Sequence, residues 1–352
     1  MLQPQYAKIG IPFLYKIHSI GKNKQEGEMH MYNFRTDLAL ERRDLYKKAN
    51  QIDNEIDGIE TIQEEVDENI RTTRVAILDE RGEQALGKPK GNYITIDIRN
   101  LKIAREEEIE KAGQALKKEL KTLLDKNVQP QEDILVVGLG NIYVTPDALG
   151  PKVISYIDVT RHIAKYMPEA LQPGTRSVSA LSPGVLGTTG IETVEILKGI
   201  VENIHPKLII VIDALASKSI ERISSTIQIA DTGIVPGAGV GNTRKEISTK
   251  TLGVPVIAIG VPTVVDAATI AADSLDLFME KMQATLSEKA KPENAEKETL
   301  YKVLRGIEEN KYEMIKEVLA PEDFNFIVTP KEIDELIENM SSVVARGINF
   351  SV

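Results

Sequence analysis

Residues 133–140 read DILVVGLG, a short continuous apolar run rich in β-branched residues and closed by glycines. Two further runs share this character, KLIIVIDALA (207–216) and VPVIAIGVP (254–262). A run that does not alternate suits a strand covered on both faces, as in a parallel sheet between layers of helix. Helical stretches are expected between these runs, near 150–166 and 190–204. Strand–helix–strand alternation argues an α/β fold. The expected architecture is a central, largely parallel or mixed sheet flanked by helices.

Outward from this centre, NYITIDI (92–98) alternates at Ile94, Ile96 and Ile98 with a strand period of two. TRVAIL (73–78) and STIQIAD (225–231) are further strand candidates. An amphipathic helix is expected over 104–126, with Ile109, Ala112, Leu116, Leu120 and Leu123 on one side. Helical signal returns at 264–285, 299–319 and 331–345, broken by the polar stretch LSEKAKPENAEKE (286–298). The C-terminal third is expected to cover the same sheet with helices. Residues 1–30 lack periodicity and read as a leader, and the highly charged stretch 38–71 reads as a solvated helical arm or loop. The chain thus divides into a leader and a single α/β domain.

With 352 residues, 42% apolar and 27% charged, the composition is that of an ordinary globular protein. Trp is absent and aromatics are few, so aliphatic side chains fill the core. A net charge of −10 disfavours a broad nucleic-acid or anionic-membrane surface. With no cysteine, disulfides, thiolate metal sites and cysteine nucleophiles are excluded. No segment reaches the roughly 18 apolar residues of a membrane span, and IGIPFLYKIHSIG lacks a small-residue cleavage site, so the expected location is the cytoplasm.

Several motifs invite chemistry. GLGNIY (138–143) follows a strand, but position 143 is Tyr where a dinucleotide fingerprint has its third glycine. The histidines, at 18, 30, 162 and 205, show no metal-ligand spacing. ALSPGVLGTTG (180–190) contains no nucleophile elbow and reads as a loop. Asp231 lies in DTG (231–233), the tripeptide of pepsin-like proteases, but those folds are nearly all β, and the simpler reading is a strand-end turn. Asp147 lies just past the first buried run, and Asp213 ends LIIVID. Functional groups of parallel sheets gather beyond the carboxyl ends of strands. Two such aspartates can share a proton, one activating water and the other donating to a carbonyl. Each can equally be a helix cap or turn former.

Taken together and in this order, RTDLALE (35–41), VVGLGN (136–141), VTPDALGP (144–151), SALSPGVLGTTGIET (179–193), IDALAS (212–217), TIQIADTGIVPGAGVGN (226–242) and GVPVIAIGVPTVVDA (253–267) resemble the germination protease family of spore-forming bacteria. VTRH (159–162) and VTPKEID (328–334) add to the resemblance, which runs from about residue 33 to the C-terminus. It implies an atypical aspartic endopeptidase with the hydrogenase-maturation-protease type of α/β fold, needing no cofactor or metal. Its substrates would be small acid-soluble spore proteins, degraded in the spore core during germination, and the active form a homotetramer that binds neither nucleic acid nor membrane. The family's catalytic aspartates match Asp147 and Asp213, and Asp231 matches a block outside that pair. The family is made as a zymogen that removes its own N-terminal segment, and its substrates are cut after an acidic residue and before an apolar one followed by Ala. Thr36-Asp37-Leu38-Ala39 has that pattern, so the resemblance implies self-cleavage between Asp37 and Leu38, a leader of 1–37 and a single protease domain of 38–352. The leader before RTDLALE is longer than the usual prosegment of that family. Two other readings compete: a metal-sensing maturation protease of the hydrogenase-processing type, and a non-enzymatic nucleotide-binding module built on GLGN.

Overall fold

The computed structural model describes residues 36–99, 105–130, 132–240, 244–289, 315, 318–319, 326–349 and 351. The chain divides into Met1–Tyr32 and Asn33–Val352, and all described residues belong to the second unit. In chain order the elements are α1 (Ala39–Asn50), β1 (Ile59–Glu65), β2 (Ile70–Ile77), α2 (Glu80–Leu86), β3 (Gly91–Ile98), α3 (Glu106–Asn127), β4 (Ile134–Gly138), α4 (Leu149–Ile154), α5 (Arg161–Tyr166), β5 (Val178–Leu181), α6 (Leu186–Thr189), α7 (Thr193–Ile204), β6 (Leu208–Ser217), β7 (Thr226–Ala230), α8 (Thr249–Leu252), β8 (Val256–Asp266), α9 (Ala267–Lys289), β9 (Ile327–Val328) and α10 (Ile333–Asn349).

The three apolar runs form β4, β6 and β8, which lie side by side and parallel, with β5 parallel on the far side of β4. Every residue of β4 and β8 is buried, as expected for strands with helices on both faces. Alternate residues point to opposite layers. Ile134, Val136, Ile210 and Ile212 pack with Leu116 and Leu120 of α3, Leu149 and Val153 of α4, and Ile337, Met340 and Val344 of α10. Leu135, Val137, Ile209 and Val211 pack the other way, against Val194 and Leu197 of α7 and Leu252 of α8. The expected C-terminal helical cover is present as α10, whereas most of the helix expected at 299–319 lies outside the described residues, as does the leader through residue 35.

The sheet continues from β8 into an antiparallel half, giving the order β1-β2-β3-β7-β8-β6-β4-β5, with β9 pairing β8. The fold is α/β with a mixed sheet. Two stretches differ from expectation. The charged stretch 38–71 is not a solvated arm: Ala39 and Leu40 are buried against Val75, Ile77 and Tyr93, and β1 pairs with β2 at the sheet edge. Its charges are those of an edge strand with one face in water, a usual device against edge pairing. Part of the Ser/Gly-rich stretch 180–190 extends β5, which is only four residues long and lies at the other edge. Among the described residues no helix is long and apolar enough to cross a membrane.

Candidate functional site

The parallel half of the sheet fixes where a site can form. From β4 the chain crosses outward to β5, then returns past β4 to β6. The connections therefore leave β4 and β6 in opposite directions, and a crevice opens at their carboxyl ends. The end of β4 pairs Gly138 with Ile212, so Asp213 is the first β6 residue beyond the last paired position of β4. It is 6% exposed, and its Oδ1 accepts a hydrogen bond from Ala214 N at 2.9 Å.

Asp147 reaches the same crevice through a tight loop after β4. Asn141 N donates to both the Asp147 carbonyl oxygen, at 3.1 Å, and its Oδ2, at 2.8 Å. Asp147 N donates to Val144 O at 2.8 Å. Gly140 makes this closure possible: its φ is 113°, and a Cβ there would stand 2.0 Å from the Asp147 carbonyl oxygen. Of the glycines of GLGN, Gly140 thus serves close approach to Asp147 and Gly138 close approach to Gly150.

A third carboxylate completes the set. Asp37, Asp147 and Asp213 line one cavity of about 450 Å³, whose walls include Leu139, Val185 and Val235. No hydrogen bond joins Asp147 to Asp213 among the described residues. They interact through space: burial foremost, then the negative charges of Asp147 and Asp37, push the Asp213 carboxyl well above the usual carboxylate range. Burial also raises Asp147, opposed by the Asn141 N–H. Asp213 is therefore the group that keeps a proton most strongly, and Asp147 the one that yields it sooner.

Asp37 and the residues after it are stitched to the ends of β6 and β7. Asp37 N donates to Ala216 O at 2.9 Å, and Ala216 N donates to Asp37 Oδ2 at 2.9 Å. Gln228 of β7 spans the Asp37–Leu38 bond: its Nε2 donates to Asp37 O at 3.3 Å, and its Oε1 accepts from Ala39 N at 2.7 Å. The buried Glu41 carboxylate accepts from Lys218 N at 2.7 Å, from Ser219 N at 3.0 Å and from the Thr36 hydroxyl. Leu38 is fully buried. The expected cleavage bond is thus held at the cavity carrying the expected catalytic pair. The separation of 179 residues between Asp37 and Ala216 explains why no local signal shows it.

Asp231 is elsewhere. Its Oδ1 accepts from Asn92 N at 2.8 Å and its Oδ2 from Asn92 Nδ2 at 2.6 Å, so it fastens the end of β7 to the start of β3. It does not line the cavity. Asp231→Ala is expected to destabilise the fold by about 1–3 kcal/mol, the range for losing charge-assisted hydrogen bonds, while peptide hydrolysis per folded molecule is kept. Urea denaturation alongside an activity assay checks this. His162 and His205 also lie off the cavity, and His18 and His30 lie outside the described residues. The sequence reading passed over Gln228, Glu41, Arg42 and Lys88. Arg42 follows the TDLA segment closely enough to have been suspected, whereas Lys88 sits in a Gly/Pro turn that carried no cue.

Comparison with known proteins shows which family the sequence matches. The germination protease family model matches residues 37–304 and 281–352. A germination protease from Caldanaerobacter subterraneus is 53% identical over 321 residues, covering 90% of this chain and 94% of that one. One from Clostridium acetobutylicum is 47% identical, covering 92% and 96%. One from Priestia megaterium is 42% identical, covering 94% and 96%. Among solved structures, a NiFe hydrogenase maturation protease from Thermococcus kodakarensis is similar with 18% identity and a TM-score of 0.25, over 40% of this chain and 80% of that chain.

Proposed function

The chain belongs to the germination protease family, and from that membership we propose that it is an aspartic endopeptidase zymogen, acting on small acid-soluble spore proteins in the spore core after it removes its own leader. One observation carries the catalytic part: Asp147 and Asp213, delivered by separate elements, line one cavity together with Asp37. In the reaction, Asp147 takes a proton from water, whose oxygen adds to the carbonyl carbon. The protonated Asp213 donates to the carbonyl oxygen. The C–N bond then breaks as Asp147 passes its proton to the leaving nitrogen and the former carbonyl hydroxyl returns a proton to Asp213, so that both carboxyls are restored and one water is consumed per bond. The cavity has room for this, since a water fills only about 30 Å³ of liquid volume.

The first bond cut is Asp37–Leu38, which releases the leader 1–37. The hydrogen bonds of Gln228, Ala216 and Glu41 hold that bond beside the pair until conditions release it. A homotetramer is the proposed active assembly. Intact-mass measurement of the purified full chain over time tests the reading. The expected result is a product beginning at Leu38, with Asp213→Asn remaining full length. Processing at an unrelated bond, or by Asp213→Asn at the wild-type rate, would count against it.

A further inference from the structure

Asp37 lines a second cavity as well. This one, about 220 Å³, lies on the side of Asp37 that carries Arg42, Lys88, Tyr93 and Gln228, with Glu246 also on its wall. Resting on the proteolytic reading above, we propose that this cavity is the pocket that recognises an acidic side chain immediately before the cut bond, with Lys88 and Arg42 as its specificity-determining residues.

The Asp37 carboxylate is placed as a bound acidic side chain would be. Ala216 N donates to its Oδ2 at 2.9 Å, and the Gly239 N–H supports it from the other side. The approach is close, since a Cβ on Gly239 would stand 2.1 Å from Asp37 Oδ2. The positive charges of Lys88 and Arg42 oppose the burial that raises this carboxyl. Two backbone donors and two cations around one carboxylate make an anion-binding arrangement. Among the described residues, neither cation forms an ion pair within 4.0 Å, and both act on Asp37 through space across the cavity they line together. Lys88 stands over the Tyr93 ring, 5.6 Å from its centre. Arg42 donates from Nε to Thr36 O at 3.1 Å and from Nη1 to Leu86 O at 3.2 Å.

Cleavage at Asp37–Leu38 gives this arrangement its function. Asp37 and Thr36 leave with the leader, whereas Arg42, Lys88, Gln228, Ala216 and Gly239 all stay. The vacated cavity then holds two cations without the carboxylate that neutralised them. With Asp37 in place, burial and the Arg42 charge press the Lys88 ammonium down to about 8; loss of Asp37 removes the one charge that opposes them, and a new carboxylate bound there restores it. Arg42 is freed from Thr36 O at the same moment, and can hold the matching carbonyl of an incoming chain. The side chain selected is a carboxylate; an amide of the same shape carries no charge to pair with either cation.

A double-mutant cycle tests this. The full chain, once self-processing has removed its leader, is given a peptide with the sequence of residues 32–43, carrying either Asp or Asn at the position of Asp37, and kcat/KM is read for each. Wild type is expected to prefer the Asp peptide by about 10-fold or more, as for a desolvated charge contact. Lys88→Met is expected to erase most of that preference by slowing only the Asp peptide, and Lys88→Arg to restore it. Arg42→Lys keeps charge but loses the forked contacts, and is expected to lower the rate on both peptides while retaining part of the preference. An unchanged Asp-to-Asn ratio in Lys88→Met, or equal slowing of both peptides, overturns the proposal even if the aspartate pair is catalytic. Conversely, Asp213→Asn cleaving at the wild-type rate refutes the catalytic reading, whatever Lys88 does. Absence of cleavage of either peptide by wild type overturns both.

Discussion

Asp213→Asn is expected to lower peptide hydrolysis by about 100- to 10,000-fold, the range for losing a positioned proton donor. Asp147→Asn is expected to fall in the same range. The double variant is expected to be little worse than either single one, because groups that act as a unit fail together. The asparagine is well suited to the test. It keeps the volume of the side chain and an oxygen to accept from Ala214 N, and it carries no charge into a buried position. Stability separates loss of chemistry from loss of fold. The folded-state pKa of Asp213 is raised above its ordinary value of 3.8, so the native state binds the extra proton. That contribution to stability is complete below about 3.8 and is lost as pH rises toward the raised folded-state value. Wild type is therefore expected to lose more stability than Asp213→Asn on going from acid to neutral pH, as read by the urea midpoint. An inactive variant that is as stable as wild type at neutral pH, or more so, identifies a functional cost.

Gly150→Val is expected to have the largest effect on stability. A Cβ at Gly150 would stand 2.2 Å from Leu139 O and 2.6 Å from Leu139 N, and one at Gly138 would stand 2.2 Å from Gly150 O. These are backbone atoms, with no flexible side chain to yield. Helix α4 crosses the end of β4 only because both positions lack side chains. Overpacking costs about 1–3 kcal/mol where neighbours can shift, and here the cost is expected at or above the top of that range. The displaced segment is the one that closes around Asp147. Any Gly150→Val protein that folds is thus expected to lose hydrolysis beyond its loss of stability. Thermal denaturation together with activity per folded molecule checks both parts.

These two variants also show what the sequence could reveal. The buried runs behind β4, β6 and β8 were legible because strands covered on both faces need continuous apolar residues. A parallel order of such strands puts their carboxyl ends together, so Asp147 and Asp213 could be paired as candidates before any coordinates. The antiparallel half was less legible. In β1, IETIQEE, the charges of a half-solvated edge obscure the strand, and the buried start of α1 shows nothing of the sheet beneath it. The DTG tripeptide was a misleading cue: Asp231 is spent on Asn92. The second pocket was not legible at all. Lys88, Arg42 and Asp37 meet through the packing of α1 and the turn before β3 onto the ends of β6 and β7, and no spacing along the chain encodes that meeting.

The central claim is that two carboxyls from different strand ends share one proton. Its most direct test is the titration of aspartate carboxyls by NMR with selectively ¹³C-labelled protein, carried out on Asp37→Asn chains so that the third carboxyl is removed throughout. The account predicts a carboxyl that stays protonated well above the usual range, that disappears in Asp213→Asn, and that titrates at lower pH in Asp147→Asn because the neighbouring charge is gone. An Asp213 carboxyl that ionises in the ordinary range, or one whose titration ignores the substitution of Asp147, would contradict it.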